Sequence, residues 1–358
     1  MIRWREGNVV AVVRDRRDAR ELTVATSSGE LPALAYPRLV GTPEVGDRVL
    51  LNTTAIALGL GTGGFALVVA IPDRLPADRD EPGHVVKARY TPLQATVLAV
   101  DEQDSPDYEL LRDADSIDKM PVVVADLHSA LTPILAGLRE GGRSPKAVYV
   151  MTDGGALPLG FSRSVEELSD AGWLAATVTV GQAFGGDVEA VTLHTGLLAA
   201  RHVLGADLAI VTQGPGNLGT GTRWGFSGVA SGEAVNATAA LGGRPVAALR
   251  ISEADQRDRH RGVSHHSLTA LGRVALAPAD VVVPRLEGAI GADVSRAVRP
   301  LSPPHRLVSV ETGGLRDAVA AAPGRVSTMG RGLDEDLAYF LGCAAAGRHA
   351  ATLLHAGD

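Results

Sequence analysis

Val122-Val123-Val124-Ala125-Asp126-Leu127-His128-Ser129 runs from four apolar residues straight into polar ones, and residues 127–140 then carry a helical pattern. A short, unbroken apolar run is what a strand buried on both faces requires, because neither side of it meets water. The same figure returns down the chain. Apolar runs at 147–151, 175–180, 208–212 and 246–251 alternate with helical stretches at 164–171, 188–203 and 233–241, and further strands are expected at 281–283 and 307–310. This alternation predicts an α/β protein built on a mainly parallel sheet flanked by helices, with right-handed crossovers. An alanine-rich helix over 333–354 ends the pattern.

Upstream the reading changes. Five short β-favouring runs, at 9–13, 22–26, 31–34, 48–52 and 65–71, are separated by turns at Gly29, at Gly46-Asp47 and over 59–64. Five strands with no helix predict a small N-terminal β-barrel-like module over 1–72. With few aromatics and mixed charges, a structural or dimerising role suits it better than nucleic-acid binding. Residues 72–82 hold three prolines and six charges, the mark of a linker. The expected organisation is a β module at 1–72, a linker at 73–84, and an α/β domain at 85–358 that carries the ligand site. That domain opens with strands expected at 85–90 and 95–100.

Composition narrows the function classes. Of the 358 residues, 45% are hydrophobic and 21% charged, the balance of a globular protein rather than a disordered one. The net charge of −7 argues against non-specific nucleic-acid binding, though it leaves room for a local basic pocket. The single cysteine, Cys343, excludes a disulfide framework and a cysteine-built zinc cluster. It suits a reducing compartment and falls in the alanine-rich helix, where a buried thiol is expected. Met1-Ile2-Arg3-Trp4-Arg5-Glu6 is not followed by the apolar stretch of a signal peptide, and no apolar run is long enough to span a bilayer. The expectation is a cytoplasmic protein with no membrane partner.

In a parallel α/β sheet, ligands gather beyond the carboxyl ends of the strands. After the run at 122–125 come Asp126 and His128, two apart. If the chain is still extended there, both face one side as an acid/base pair or as metal ligands. Alternatively, Asp126 caps the following helix, with His128 in its first turn. After 147–151, Asp153 precedes two glycines and reads either as a ligand group or as an Asx-type turn. After 175–180, a glycine loop leads to Asp187, read as an N-cap that takes up the helix's own donors.

After 208–212 the chain reads Gln213-Gly214-Pro215-Gly216-Asn217-Leu218-Gly219-Thr220-Gly221-Thr222. Gly214, Gly216 and Gly219 form a G-x-G-x-x-G pattern. No helix opens there and no acidic residue follows at a strand end about 20 positions on, so NAD is not expected. A nest for phosphate or carboxylate, with Thr220 and Thr222 beside it, is the reading that survives. Residues 252–267 are the densest polar stretch, with three of the ten histidines and three arginines. Arg257, Arg259 and His260 suit charge neutralisation. Ser264 is placed to cap a helix running to Leu271. His265 and His266 then sit about 100° apart on it, so one of them can ligate a metal while the other supports it. On the helix at 188–203, His194, Arg201 and His202 read as surface or interface residues.

The P-loop G-x-x-x-x-G-K-S/T, the metalloprotease H-E-x-x-H and the hydrolase G-x-S-x-G are all missing from the chain. The runs His84-Val85-Val86-Lys87-Ala88-Arg89-Tyr90-Thr91-Pro92-Leu93-Gln94, 149–158, 183–189, 214–228 and 257–271 resemble a bacterial family known only as a domain of unknown function. The resemblance spans nearly the whole chain and implies a single family architecture. It brings no activity, cofactor or catalytic residue with it.

The residues themselves point to an enzyme, a hydrolase or group transferase, acting on a small anionic molecule, phosphorylated or nucleotide-like. Asp126, His128, Asp153, His265 and His266 are the candidate catalytic groups. Gly214, Gly216, Gly219, Thr220, Thr222, Arg257, Arg259 and His260 are the candidate ligand-binding groups, and Asp126, His128 and His265 the candidate ligands of a divalent metal ion. A non-catalytic metabolite sensor and a structural or oligomerising protein are the rival readings. A homodimer is the base-rate expectation.

Overall fold

The computed structural model describes residues 1–60, 63–78 and 82–354. Gly61 and Thr62 of the expected 59–64 turn, and Arg79, Asp80 and Glu81 of the expected linker, lie outside them. The chain divides into two compact units. One comprises residues 1–97 with 158–161, the other 98–157 with 162–358.

The first unit contains a closed five-stranded barrel. Its strands are β1 (Trp4–Asp15), β2 (Arg20–Thr26), β3 (Gly29–Ala35), β4 (Arg48–Asn52) and β5 (Ala66–Ala70), in the order β1-β2-β3-β5-β4. All pairs are antiparallel except β3 with β5. Alternate residues point inward, so Val9, Leu22, Val24, Ala33, Ala35, Val49, Leu51, Ala66 and Val68 fill the interior. Register shifts in β1 near Val9 and Val12 are bulges, which help a short sheet curl and close. Two further strands, β6 (Val85–Lys87) and β7 (Ala95–Val97), pair with each other. The strand expected over 95–100 is thus three residues long.

The second unit is an eight-stranded sheet in which every strand pair is parallel. Its strands are β8 (Pro121–Val124), β9 (Ala147–Thr152), β10 (Ala176–Thr179), β11 (Val188–Glu189), β12 (Leu208–Gln213), β13 (Arg244–Ala248), β16 (Asp280–Pro284) and β17 (Arg306–Val310), while β14 (Ile251–Ser252) and β15 (Gly262–Val263) form a separate antiparallel ribbon. The spatial order is β11-β10-β9-β12-β8-β13-β16-β17. The main helices are α1 (Leu131–Arg139), α2 (Arg163–Asp170), α3 (Leu193–His202), α4 (Ala230–Ala240), α5 (His265–Thr269), α6 (Gly288–Ala297), α7 (Leu315–Ala320) and α8 (Leu337–Leu353).

Helices cover both faces of the sheet. Val122, Val124, Val148, Val150 and Val211 join one core with Leu197 of α3 and Val235 of α4. Val123 points the other way and is also fully buried. There α8 lies along β8, β13 and β16 and packs on α1. Cys343 is buried in α8, as its apolar surroundings suggested. Among the described residues, no helix is long and apolar enough to cross a membrane.

The helix expected over 188–203 is shorter. Residues Val188–Glu189 are the edge strand β11, and α3 begins at Leu193, where the Thr192 side chain accepts from the Thr195 N–H. Asp187 is therefore not a helix cap. Its carboxylate accepts from the backbone N–H and hydroxyl of Thr177 at 2.9 and 2.8 Å, tying β10 to the edge.

The chain lays β9, β10 and β11 to one side of β8, returns to insert β12 beside it, then lays β13, β16 and β17 on the other side. A reversal of this kind leaves a crevice at the strand carboxyl ends, because the loops on either side lead away from each other. Here the reversal falls at β12, β8 and β13.

Candidate functional site

Three loops leave β8, β12 and β13 at this reversal, and they are bound to one another. The Gln213 side-chain amide donates to the Asp126 carbonyl at 2.8 Å. Gly228 passes so close to Asp126 that a Cβ there would lie 3.0 Å from the Asp126 Cβ. Beyond β13, the β14–β15 ribbon folds residues 252–263 back and sets His260 against the start of α5. Ser264 caps α5, accepting from the His266 N–H at 3.2 Å, as its position in the sequence suggested.

The result is a cluster of three imidazoles. The ring centroids are 5.0 Å apart for His260–His265, 4.7 Å for His260–His266 and 4.4 Å for His265–His266. His260 and His266 are buried and His265 is half-buried. One ligand-capable atom from each ring lies within 4.8 Å of the other two. His266 is held flat against Phe226, with centroids 3.8 Å apart and planes 4° from parallel. The Nδ1 atom of His260 is 2.7 Å from the Ser264 hydroxyl.

Buried charges surround the cluster. The Arg250 guanidinium is 3.3 Å from His266 Nδ1, 3.9 Å from Asp126 Oδ2 and 3.8 Å from Asp255 Oδ2. Asp126 Oδ2 is also 3.9 Å from His266 Nδ1. The Arg250–His266 contact is a hydrogen bond, but those at 3.8–3.9 Å are only ion-pair distances, so Asp126 Oδ2 is left buried without a hydrogen-bond partner, as is His265 Nε2. Burial pushes the Asp126 carboxyl up, with Arg250 opposing it. Burial, reinforced by Arg250, pushes His260 and His266 down to about 3, and burial with Arg259 lowers His265. All three rings are thus neutral at pH 7 and have lone pairs to offer. Asp255 lies well below the usual carboxylate range because Arg257 grips it through Nε and Nη2 at 2.9 and 2.8 Å.

His265 also lines an open cleft of about 470 Å³, together with Gly221, Arg223, Leu268, Thr269, Arg259 and Arg273. Among the described residues, the side chains of Arg223, Arg259 and Arg273 make no ion pair or hydrogen bond. Arg273 projects from the wide π-type turn Ala270–Val274 that continues α5.

Of the other residues singled out in the sequence, Asp126 borders the cluster, but several lie elsewhere. Asp126 and His128 do not form a one-faced pair. β8 ends at Val124 and a 3₁₀ turn starts at His128, so the extended geometry such a pair requires is lost. Nor does Asp126 cap the turn, whose flanking residue Leu127 makes no side-chain cap. The ring nitrogens of His128 are taken by the Tyr149 hydroxyl (3.0 Å) and the Ser162 hydroxyl (2.7 Å), and burial lowers its pKa to about 4. Asp153 accepts from the Gln182 N–H at 2.8 Å, holding the turn after β10. The guanidinium of Arg257 is engaged by Asp255 rather than turned to the cleft.

Gly214 and Gly155 permit backbone-to-backbone contact between two loops, since a Cβ on Gly155 would lie 2.2 Å from the Gly214 carbonyl oxygen. Gly219 pairs with Phe226, and the Thr220 and Thr222 hydroxyls are 3.0 Å apart, closing a small hairpin. The glycine-rich segment therefore reaches the cleft through Gly221 and Arg223, while Gly214, Gly216, Gly219, Thr220 and Thr222 shape the loop. Arg250, Arg223 and Arg273 were not singled out from the sequence. Arg250 carried a signal, a lone charge closing an apolar strand, whereas the other two are ordinary isolated arginines.

A parallel α/β sheet with a polar site at its reversal defines the general class, one that hosts many unrelated chemistries. Residues 32–347 match the family described as "Protein of unknown function (DUF3866)", and the chain belongs to that family. No curated protein matches the chain.

Proposed function

We propose that the protein is a cytoplasmic enzyme, a hydrolase or group transferase, whose substrate is a small anionic molecule such as a phosphate ester or nucleotide. The observation that carries this reading is the cleft in which Arg223, Arg259 and Arg273 converge beside His265. Three guanidiniums without partners among the described residues, around a space that takes a metabolite-sized ligand, form a receptor for a phosphate or carboxylate. Such groups also stabilise the negative charge that develops in acyl or phosphoryl transfer. His265 stands at the edge of the cleft as a neutral imidazole, able to take a proton from water or hydroxyl. His266 and Asp126 stand behind it.

The test is turnover of small phosphate esters, including nucleoside mono- and diphosphates and sugar phosphates, followed by ³¹P NMR. The expected result is conversion of at least one class, lost in Arg259→Ala. Binding without conversion would favour the sensor reading. If no ester is bound or converted, and Arg259→Ala leaves cellular function intact, the anion reading is wrong and the structural or oligomerising role takes its place.

A further inference from the structure

We propose that His260, His265 and His266 bind one divalent transition-metal ion of the zinc class, with Asp126 as the carboxylate behind the ligand set. The donor atoms of the three rings already lie within 4.8 Å of one another. Zinc–nitrogen bonds of about 2.0–2.1 Å require donors roughly 3.4 Å apart in a tetrahedron, so modest side-chain rotation closes the set. Three imidazoles packed together in a largely buried pocket leave polar atoms in want of partners. His265 Nε2 is such an atom, as is Asp126 Oδ2 behind His266. Buried polar groups are seldom left unpaired, and a cation accounts for the imidazole nitrogen directly.

The surroundings match what metal-bound histidines need. A ligating imidazole is held by a hydrogen bond at its other nitrogen. His260 Nδ1 has the Ser264 hydroxyl at 2.7 Å; His266 Nδ1 now faces the Arg250 guanidinium at 3.3 Å, and Asp126 Oδ2, at 3.9 Å, is the acceptor a small ring shift would bring to it when His266 ligates. The stacking of His266 on Phe226 restricts rotation of that ring. Arg250 is the buried positive charge that opposes a cation, and Arg257 and Arg259 oppose it from further out. Arg250 is flanked by Asp126 and Asp255 at 3.9 and 3.8 Å, which offset it.

An all-nitrogen donor set favours zinc, cobalt, nickel, copper or iron over magnesium and calcium, which take oxygen. Three protein ligands leave a position for water or substrate. His265, shared with the arginine cleft, sets that position beside the anion receptor, and while an ion is bound His265 is a ligand and not the base of the metal-free site. The cation site rests on its own geometry and holds whether or not the protein turns over an ester.

The experiment uses the untagged full chain, stripped with chelator in phosphate-free buffer and titrated with Zn²⁺ against a chromogenic chelator. Co²⁺ reports coordination through its visible d–d bands. The expected result is one ion per chain. Affinity should fall in His265→Gln and in His260→Ala by more than the roughly 10–100-fold that loss of an outer partner costs, and by about that amount in Asp126→Asn. His194→Ala, at an exposed histidine of α3, should bind as the parent does. Because a core substitution at His260 can impair folding, the half-buried His265→Gln decides. Its thermal midpoint without metal should match the parent's, and only the parent's should rise with Zn²⁺. No stoichiometric binding, or equal binding by His265→Gln, overturns the proposal. Zn²⁺ binding retained in Arg259→Ala, with no ester bound by either protein, leaves the metal site standing and removes the anion reading alone.

Discussion

Gly347→Ala, a single methyl group added to α8, is expected to destabilise the larger unit sharply. α8 and α1 cross at two glycines. A Cβ on Gly347 would fall 1.9 Å from the Ile134 carbonyl oxygen, and one on Gly137 would fall 1.9 Å from that of Ala344. The obstacle is backbone on an opposing helix, so no rotamer change relieves it. To reach even a 3.0 Å contact the helices must separate by roughly 1 Å, loosening close-packed side chains along both. Overpacking of this kind costs about 1–3 kcal/mol, at the upper end where backbone must move. The better helix propensity of alanine returns about 1 kcal/mol, leaving a net loss of about 2 kcal/mol. For a unit of this size that is a drop of roughly 4–8 °C in thermal midpoint. Gly342→Ala on the same helix is the control. Its new Cβ would meet the flexible end of Ile251 at 3.2 Å, so it is expected to be near neutral. The pair is compared by thermal and urea unfolding followed by circular dichroism. The separation should also disturb the hydrogen bond between the Tyr339 and Ser129 hydroxyls, now 2.7 Å, which links the first turn of α8 to the loop after β8. Equal midpoints for the two variants would refute the reasoning, because the close approach of α1 and α8 would then carry no energetic weight.

Two further outcomes follow from buried titrating groups. His128 has its pKa lowered to about 4 by burial, against about 6.5 in an unfolded chain, so its contribution to stability is complete above pH 6.5 and is lost as pH falls toward 4. That shift corresponds to about 3 kcal/mol, and His128→Gln should show a shallower fall in urea midpoint over that window; an unchanged slope would assign the acid sensitivity to other groups. Cys343 is buried, and burial with the nearby Asp126 charge pushes its thiol up, so iodoacetamide at pH 8 should label it only on unfolding. Native labelling at the rate of a free thiol would mean that α8 opens far more readily than its packing implies.

The parts of the fold that could be read in advance are those where burial acts on a contiguous stretch. The apolar runs of β8 and of β12 up to Val211 had to be strands covered on both faces, and the alternating short runs of the first 70 residues had to curl around a common interior. Reading failed where polar residues form structure through partners distant in sequence. Val188–Glu189 looked like the start of a helix because nothing local shows that Asp187 holds the Thr177 backbone or that Glu189 accepts from the Thr179 hydroxyl at 2.7 Å. Thr192, not singled out in the sequence, is the cap that marks the true start of α3.

The site divides along the same line. The place of the candidate site beyond the strand carboxyl ends, and the weight of residues 252–267, follow from the sequence by itself, because strand direction and polar density are written along the chain. Which side chains meet was decided only by the tertiary structure. Helical spacing sets His265 and His266 about 100° apart, yet the β14–β15 ribbon returns His260 to them and their rings converge at the first turn of α5. Asp126 and His128, two apart in the sequence, part company because the chain bends between them, one going to Arg250 and His266 and the other to Tyr149 and Ser162. Arg223, Arg259 and Arg273 come from three separate segments, and only their shared cleft sets them apart from other arginines. Burial acts on each residue where it stands and leaves its mark in local sequence. Convergence depends on the three-dimensional paths of several segments at once, which no single stretch of sequence contains.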